Sequence, residues 1–254
     1  MEYETMRQML GLPSLLEIPS LLVIEPHPDD NEVGAGATIK RLTERGVHVA
    51  YLTVTDGRAG TEDPSVTAEE MVRIRMGERQ RVNQLLGVEV SFNLGFEDGG
   101  DWSEHQLMMT LVPLIRQFRP AMVMTVDPWT PYESHPDHVK TGKAVAASLI
   151  YAKNGVALKG QGDPYDVPQI AFYGSAYPNQ FIDVSDTWSN KLEAMQAHTS
   201  QFDLPNWPLV SGFLTEEAAR LYREHFGMEK TGYVEAFKVL SSMQLHFFPE
   251  AVRS

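Results

Sequence analysis

Two short stretches of the chain carry most of the residues able to do chemistry. The first is Glu25-Pro26-His27-Pro28-Asp29-Asp30, and the second, DPWTPYESHPDH, runs from Asp127 to His138. Prolines at 26 and 28 fix φ on both sides of His27 and stiffen that turn. His27 and Asp30 lie three apart and can point the same way at a helix start, whereas Asp29 between them points elsewhere. His135 and His138 repeat the spacing, with Asp137 available to orient an imidazole. Together the two stretches offer imidazoles and a carboxylate, a common protein ligand set for zinc that leaves one position for water. Such an ion acidifies water and polarises a carbonyl oxygen, and Asp29, outside the ligand set, is the candidate general base. A single His-Pro-Asp-Asp could instead be a turn whose Asp caps the following helix. Two such clusters at one sheet edge are harder to explain by capping.

The surrounding pattern supplies that edge. Ser20–Glu25 (SLLVIE) and Val47–Thr55 read as strands, and a helical pattern over about 33–45 ends at Gly46. Asp56–Val66 is a loop. Thr67-Ala68-Glu69-Glu70 fits a capping box and opens a helix with Met71, Ile74, Val82, Leu85 and Leu86 towards one face, ended by Gly87. A strand over 88–94, a helix over 104–118, the fully apolar strand 121–126 and a helix over 138–151 follow. Beyond the polar stretch 153–168 the pattern is less regular, with strands near 170–173 and 233–240 and helices near 186–198 and 215–225. The alternation predicts an α/β fold, a three-layer, Rossmann-like, mostly parallel sheet with helices on both faces. In such sheets ligands bind beyond the carboxyl ends of the strands, which is where both clusters fall. With no linker in sight, residues 1–254 read as one domain with a variable C-terminal cap from about 200.

Composition narrows the chemistry. The chain has 254 residues, no Cys and a formal net charge of −13. Any metal must therefore be held by His, Asp or Glu. A negative field of this size argues against nucleic-acid and membrane-surface partners. No apolar run approaches the ~20 residues that span a bilayer, and MEYETMRQML lacks the features of a signal peptide, so a cytoplasmic location is expected. Gly34-Ala35-Gly36 is not a dinucleotide loop, because position 39 is Ile and His27–Asp30 already fill the strand-to-helix turn.

The strings HPDDNEVGAGAT (27–38), TDGRAGT (55–61), ESHPDH (133–138) and KLEAMQAHTSQF (191–202) resemble the LmbE-like, or PIG-L-type, metal-dependent N-acetylglucosamine deacetylases. IEPHPDD (24–30) and the full second stretch are most similar to the diacetylchitobiose deacetylase branch. One departure is Ala37, where the family usually has a second glycine before Thr38. The resemblance implies His27, Asp30 and His138 as zinc ligands and Asp29 as general base. It makes His135 the group that stabilises the oxyanion and protonates the leaving amine, with Asp137 holding that imidazole and favouring its charged form. It also implies a small N-acetylated sugar as substrate, Arg58 as its anchor, and a trimer or hexamer. Zinc is the expected cofactor, with Fe²⁺ accepting the same ligands.

Other candidates are balanced against ordinary roles. Trp129 offers a flat face to a sugar ring or an aromatic to a core or interface. Asp56 suits a sugar hydroxyl or a turn cap, Arg58 an anchor or a surface ion pair, and His198 a pocket wall or a helix C-terminal cap. His48, His105, His225 and His246 read as surface residues, and Met108, Met109, Met122 and Met124 as core filling. The apolar segment 240–249, with Leu245, Phe247 and Phe248, suits the core or a neighbouring subunit. Rival classes are a non-haem iron oxygenase and a non-catalytic sugar-binding protein. Within the hydrolases, an N-acetylglucosaminyl–malate conjugate is the alternative substrate.

Overall fold

The computed structural model describes residues 3–247 and 251. Seven strands form its sheet: β1 (Ser20–Glu25), β2 (His48–Thr55), β3 (Val90–Phe96), β4 (Met122–Val126), β5 (Gln169–Tyr173), β6 (Gln180–Asp183) and β7 (Val234–Ser241). Their order is β3-β2-β1-β4-β5-β7-β6. The first five run parallel to one another, and β7 runs antiparallel to both β5 and β6. Every residue of β4 and β5 is buried, which is why these strands are apolar rather than alternating.

Nine helices surround the sheet among the described residues: α1 (Tyr3–Met9), α2 (Asp30–Glu44), α3 (Ala68–Leu86), α4 (Glu104–Phe118), α5 (Pro136–Ala152), α6 (Trp188–Ala197), α7 (Thr199–Phe202), α8 (Trp207–Phe226) and α9 (Gln244–Phe247). Alternate strand residues feed two cores. Leu21, Val23, Met122 and Met124 pack with Ala35, Ile39, Leu42 and Val82 of α2 and α3 on one face. Leu22, Ile24, Val123 and Phe172 pack with Leu107, Leu111, Val145 and Leu149 of α4 and α5 on the other. The layers are those expected from the alternation of strands and helices.

The site follows from this topology. The helix after β1 crosses to one face and the helix after β4 to the other, although β1 and β4 are hydrogen-bonded neighbours. A crevice opens where the crossovers diverge, and the β1–α2 and β4–α5 loops line it. Close packing holds the second loop down: a Cβ on Gly142 of α5 would lie 2.7 Å from the Val126 carbonyl oxygen.

Several boundaries differ from the sequence reading. Helix α2 begins at Asp30, three residues before the expected start, because its first turn is already organised by the His27–Asp30 turn. Strand β3 begins at Val90 rather than 88, since left-handed Gly87 and the Val88 N–H to Asn83 bond still belong to the end of α3. Helix α8 starts at Trp207, eight residues before the expected 215; Pro208 sits in its first turn, where a missing N–H costs nothing. Helix α1 and edge strand β6 were not expected, and Phe248 and Pro249 lie outside the described residues. No helix among the described residues is long and apolar enough to cross a membrane.

Candidate active site

The β1–α2 turn is tied at both ends. Thr55 donates its N–H and its hydroxyl to the Pro26 carbonyl, each at 2.9 Å. The Asp30 carboxylate turns back to accept the His27 N–H at 2.8 Å. This turn and the start of α5 bring three imidazoles together: the His27 ring lies 4.5 Å from that of His135 and 5.3 Å from that of His138. Asp30 sits between two of them, with Oδ2 3.2 Å from His27 Nδ1 and Oδ1 3.4 Å from His138 Nε2.

Each of those two rings has its other nitrogen against a carboxylate. His138 Nδ1 lies 3.0 Å from Glu133 Oε2, and the other Glu133 oxygen accepts the His135 N–H at 2.8 Å. His27 Nε2 is 3.2 Å from Asp98 and 3.5 Å from Asp137, contacts too poorly angled to satisfy it as a hydrogen-bond donor. Imidazoles backed by carboxylates on one nitrogen and converging on a third carboxylate with the other are built as metal ligands are. Donors sharing a tetrahedral ion at ~2.0–2.1 Å stand about 3.3 Å apart, close to the Asp30–imidazole separations. His135 offers a further nitrogen, since ligand atoms of His27, His135 and His138 can be chosen within 4.8 Å of one another.

The electrostatics favour positive charge here. Burial alone would lower the His27 pKa, but pairing with Asp137, Asp30 and Asp98 outweighs it and the net shift is upward. Burial likewise opposes the Asp30 charge, and His27 and His138 still hold its carboxyl below the usual range. A divalent cation meets the same demand without the proton.

Around this centre the expected residues fall into place unevenly. Asp29, on the adjacent turn, has Oδ2 3.3 Å from Arg75, whose guanidinium also donates to the Pro28 carbonyl at 2.7 Å. Asp137 is placed differently from expectation. Its carboxylate faces Lys140 at 2.8 Å and accepts the Gly99 N–H at 2.8 Å. Instead, its backbone N–H donates to His135 Nδ1 at 3.2 Å, because His135 is the N-cap of α5. That bond leaves no room for a proton on Nδ1. Burial, with the neighbouring His27 and His138, lowers the His135 pKa, while the Asp137 carboxylate raises it, so Asp137 acts on the ring's charge in the expected sense and is outweighed.

His198 is not a pocket wall. It is wholly buried, with Nε2 2.9 Å from Glu32. Glu32 also pairs with Arg79 at 2.9 Å, and Arg79 with buried Glu25 at 2.7 Å. The rest of the HTSQF segment braces as well: Thr199 and Ser200 bond to buried Glu78, and Gln201 donates to the Gly60 carbonyl at 2.7 Å. Arg58 lies 2.6 Å from Asp56 and 3.2 Å from Glu97; Asp56 also accepts the Arg58 N–H, so it does form the turn cap. Trp129 is 56% exposed and lies edge-on to Phe172. A cleft of about 390 Å³ runs from Asp30, Glu133 and His138 past Tyr173 to Lys191 and Glu235.

Sequence reasoning missed Asp98, Glu133 and Arg75. Asp98 had a signal, an acidic glycine loop at the carboxyl end of a third strand. Arg75 falls on the buried face of α3, which comprises Met71, Arg75, Glu78, Arg79, Val82 and Leu86, whereas Ile74 is 37% exposed.

With this geometry in view, comparison with known proteins is decisive. Residues 22–149 match the family model described as PIG-L, GlcNAc-PI de-N-acetylase. The chain is 36% identical to the diacetylchitobiose deacetylase of Thermococcus kodakarensis, over 92% of this chain and 88% of that one. The chain belongs to the PIG-L family. A crystal structure of the N,N′-diacetylchitobiose deacetylase of Pyrococcus horikoshii, with an inhibitor, has a TM-score of 0.88 and 33% identity, covering 97% of this chain and 94% of that one. A probable N-acetyl-α-D-glucosaminyl L-malate deacetylase of Bacillus anthracis is 29% identical over 81% of this PIG-L member and 93% of its own length.

Two outcomes test the centre. Glu133→Gln is expected to weaken divalent-metal affinity by roughly 10–100-fold in chelator competition, with the folded fraction unchanged by circular dichroism; undiminished affinity would show that Glu133 does not set the His138 ring. Because the His27 pKa is raised and its proton competes with the ion, affinity should keep rising as pH increases above ~6.5, the ordinary His value. A plateau there would show that the carboxylates do not act on His27.

Proposed function

We propose that this protein is a zinc-dependent N-deacetylase of N-acetylglucosamine-containing sugars, acting on N-acetylglucosamine and diacetylchitobiose and releasing acetate. The observation that carries this reading is Asp30 between the His27 and His138 imidazoles at the mouth of a cleft, in a chain 36% identical to a diacetylchitobiose deacetylase. His27, Asp30 and His138 would hold the ion. A bound zinc ion supplies a Lewis acid for the acetamide carbonyl and lowers the pKa of water towards neutrality.

The residues of the chain divide the remaining work. Asp29 accepts the proton of the attacking water, and Arg75 keeps its carboxylate aimed. Oxygen adds to the acetyl carbon, and the carbonyl oxygen gains negative charge. His135 donates from Nε2 to that oxygen, with its ring fixed by the Asp137 N–H. The proton that Asp29 took from water passes to nitrogen, the C–N bond breaks, and acetate and the free amino sugar leave. Arg58 and Asp56, paired at 2.6 Å on the β2–α3 loop, would meet sugar hydroxyls, and 38% of the Arg58 side chain is open to solvent. The two imidazoles and carboxylate suit Fe²⁺ as well as zinc, while the parallel sheet separates this fold from the β-barrels of the iron oxygenases.

The reading extends to a cytoplasmic enzyme assembled as a trimer or hexamer, without nucleic-acid or membrane partners. The net charge of −13 supports the last point. Exposed Leu209 and Phe213, one turn apart on α8, are the kind of apolar surface that assembly covers.

Acetate release from N-acetylglucosamine, diacetylchitobiose and N-acetylglucosaminyl-malate, with and without chelator, tests the proposal. Chelator should abolish release and zinc restore it, with the chitin-derived sugars preferred. Asp29→Asn should bind zinc normally yet lose about 10²–10⁴-fold in turnover; a near-normal rate would remove Asp29 from its role.

A further inference from the structure

At about 390 Å³, the metal cleft is far larger than an acetyl group. Asp30, Glu133 and His138 stand at one end, and α2, α8 and the start of β7 line the rest. Its long wall is one face of α8, because Leu214, Ala218 and Leu221 follow one another at i, i+4 and i+7. They span roughly 10 Å of helix. Val33 of α2, 38% exposed, and Val234 of β7 continue the apolar lining.

The charged pair at the far end is already engaged. Lys191 and Glu235, each 4% exposed, lie 2.7 Å apart, and the Glu235 oxygens also accept the Ala37 and Thr38 N–H groups at 3.2 and 2.7 Å. The cleft also has a direction. It leads from the β1–β4 edge towards β5 and β7, whereas Arg58 and Asp56 stand on the loop after β2, on the other side of β1. An amide held at the metal has two arms, the sugar on its nitrogen and the acyl chain on its carbonyl carbon. A sugar directed to Arg58 sends the acyl arm the opposite way, along the cleft.

We propose that this cleft is an acyl-chain site, and that the protein also hydrolyses amino sugars whose N-acyl group is longer than acetyl, such as butyryl or hexanoyl. The bond cut and the place of the sugar are those of the deacetylase reading, on which this rests. The hydrolysis balances in the same way: the water oxygen adds to the acyl carbon, the water proton passes to nitrogen, the C–N bond breaks, and a short-chain carboxylate leaves beside the amino sugar. Each methylene moved from water onto an apolar wall favours binding. A sugar ring there would bring hydroxyls to leucine and valine side chains and to a buried pair that is already bonded. A malate or phosphate group would meet the Glu133 and Glu217 carboxylates.

The test uses the zinc-loaded protein with glucosamine N-acylated by acetyl, butyryl or hexanoyl groups, and with free acetate and hexanoate as probes that cannot turn over. Release of free amine should give the hexanoyl amide a kcat/KM no lower than that of the acetyl amide. Calorimetry should show hexanoate binding roughly tenfold or more tightly than acetate. Leu214→Trp, which narrows the cleft, and Leu221→Asp, which charges it, should each lower both ratios roughly tenfold. Both side chains are only partly buried on α8, and circular dichroism checks the fold of each variant. A hexanoyl kcat/KM well below the acetyl value, equal binding of the two carboxylates, or ratios untouched by both substitutions would overturn the acyl site. So would substitutions that act only on the preference for diacetylchitobiose over N-acetylglucosamine, which would assign the cleft to a sugar. Acetate release judges the deacetylase reading separately: release with no chain-length effect removes the acyl site alone, and a hexanoate preference lost in both variants, with no amide hydrolysed, removes the deacetylase alone.

Discussion

Several carboxylates can share a small, half-dry volume only if positive charge is supplied among them. Asp30, Asp98 and Asp137 all lie within 3.5 Å of a His27 ring nitrogen. Lys140 supplies part of that positive charge to Asp137, and the carboxylates shift the His27 pKa upward. A divalent ion meets the demand with two charges at one point, and the same carboxylates then orient the imidazoles that hold it. The rest of the architecture can be understood as what is needed to keep these like charges close.

Beneath the centre, buried Glu25, Arg79, Glu32 and His198 form a chain of ion-pair and hydrogen-bond contacts between β1, α3, α2 and the end of α6. Such pairs add little net stability, because the cost of stripping charges of water roughly offsets their attraction. Removing one partner is another matter, at about 3–5 kcal/mol for a buried charge left alone. The network therefore fixes geometry more than it stabilises the fold. It locks the first turn of α2, which carries Asp30, against the helix that carries Arg75. The HTSQF segment closes this frame from behind, which explains its place among the motifs without giving it contact with substrate.

Much of the site was legible because its residues sit in short, proline-stiffened loops at the carboxyl ends of strands, where topology alone brings them together. His27, Asp30, His135 and His138 needed only the strand order to be placed side by side. What was not legible depended on directions that spacing does not encode. Asp137 lies next to His135 in sequence, but the start of α5 turns its backbone N–H, not its carboxylate, towards the ring. His198 reads equally as a pocket wall or a helix cap; it stands at the C-terminal end of α6, and the packing of α6 on α2 sets it against Glu32. Arg75 and Arg79 are charged residues on the buried face of α3, and their carboxylate partners lie about fifty positions away on another element. The start of α8 lies beside prolines at 205 and 208, and proline ordinarily marks a break unless, like Pro208, it sits in a helix's first turn.

The claim that everything else rests on is the identity of the three donors. A crystal of the zinc-loaded protein, measured by anomalous diffraction at the zinc edge, tests it directly. The account predicts a single strong peak bonded to His27, Asp30 and His138, with His135 outside bonding distance. A peak bonded to His135 in place of Asp30, or lodged between Asp98 and Asp137, would contradict it.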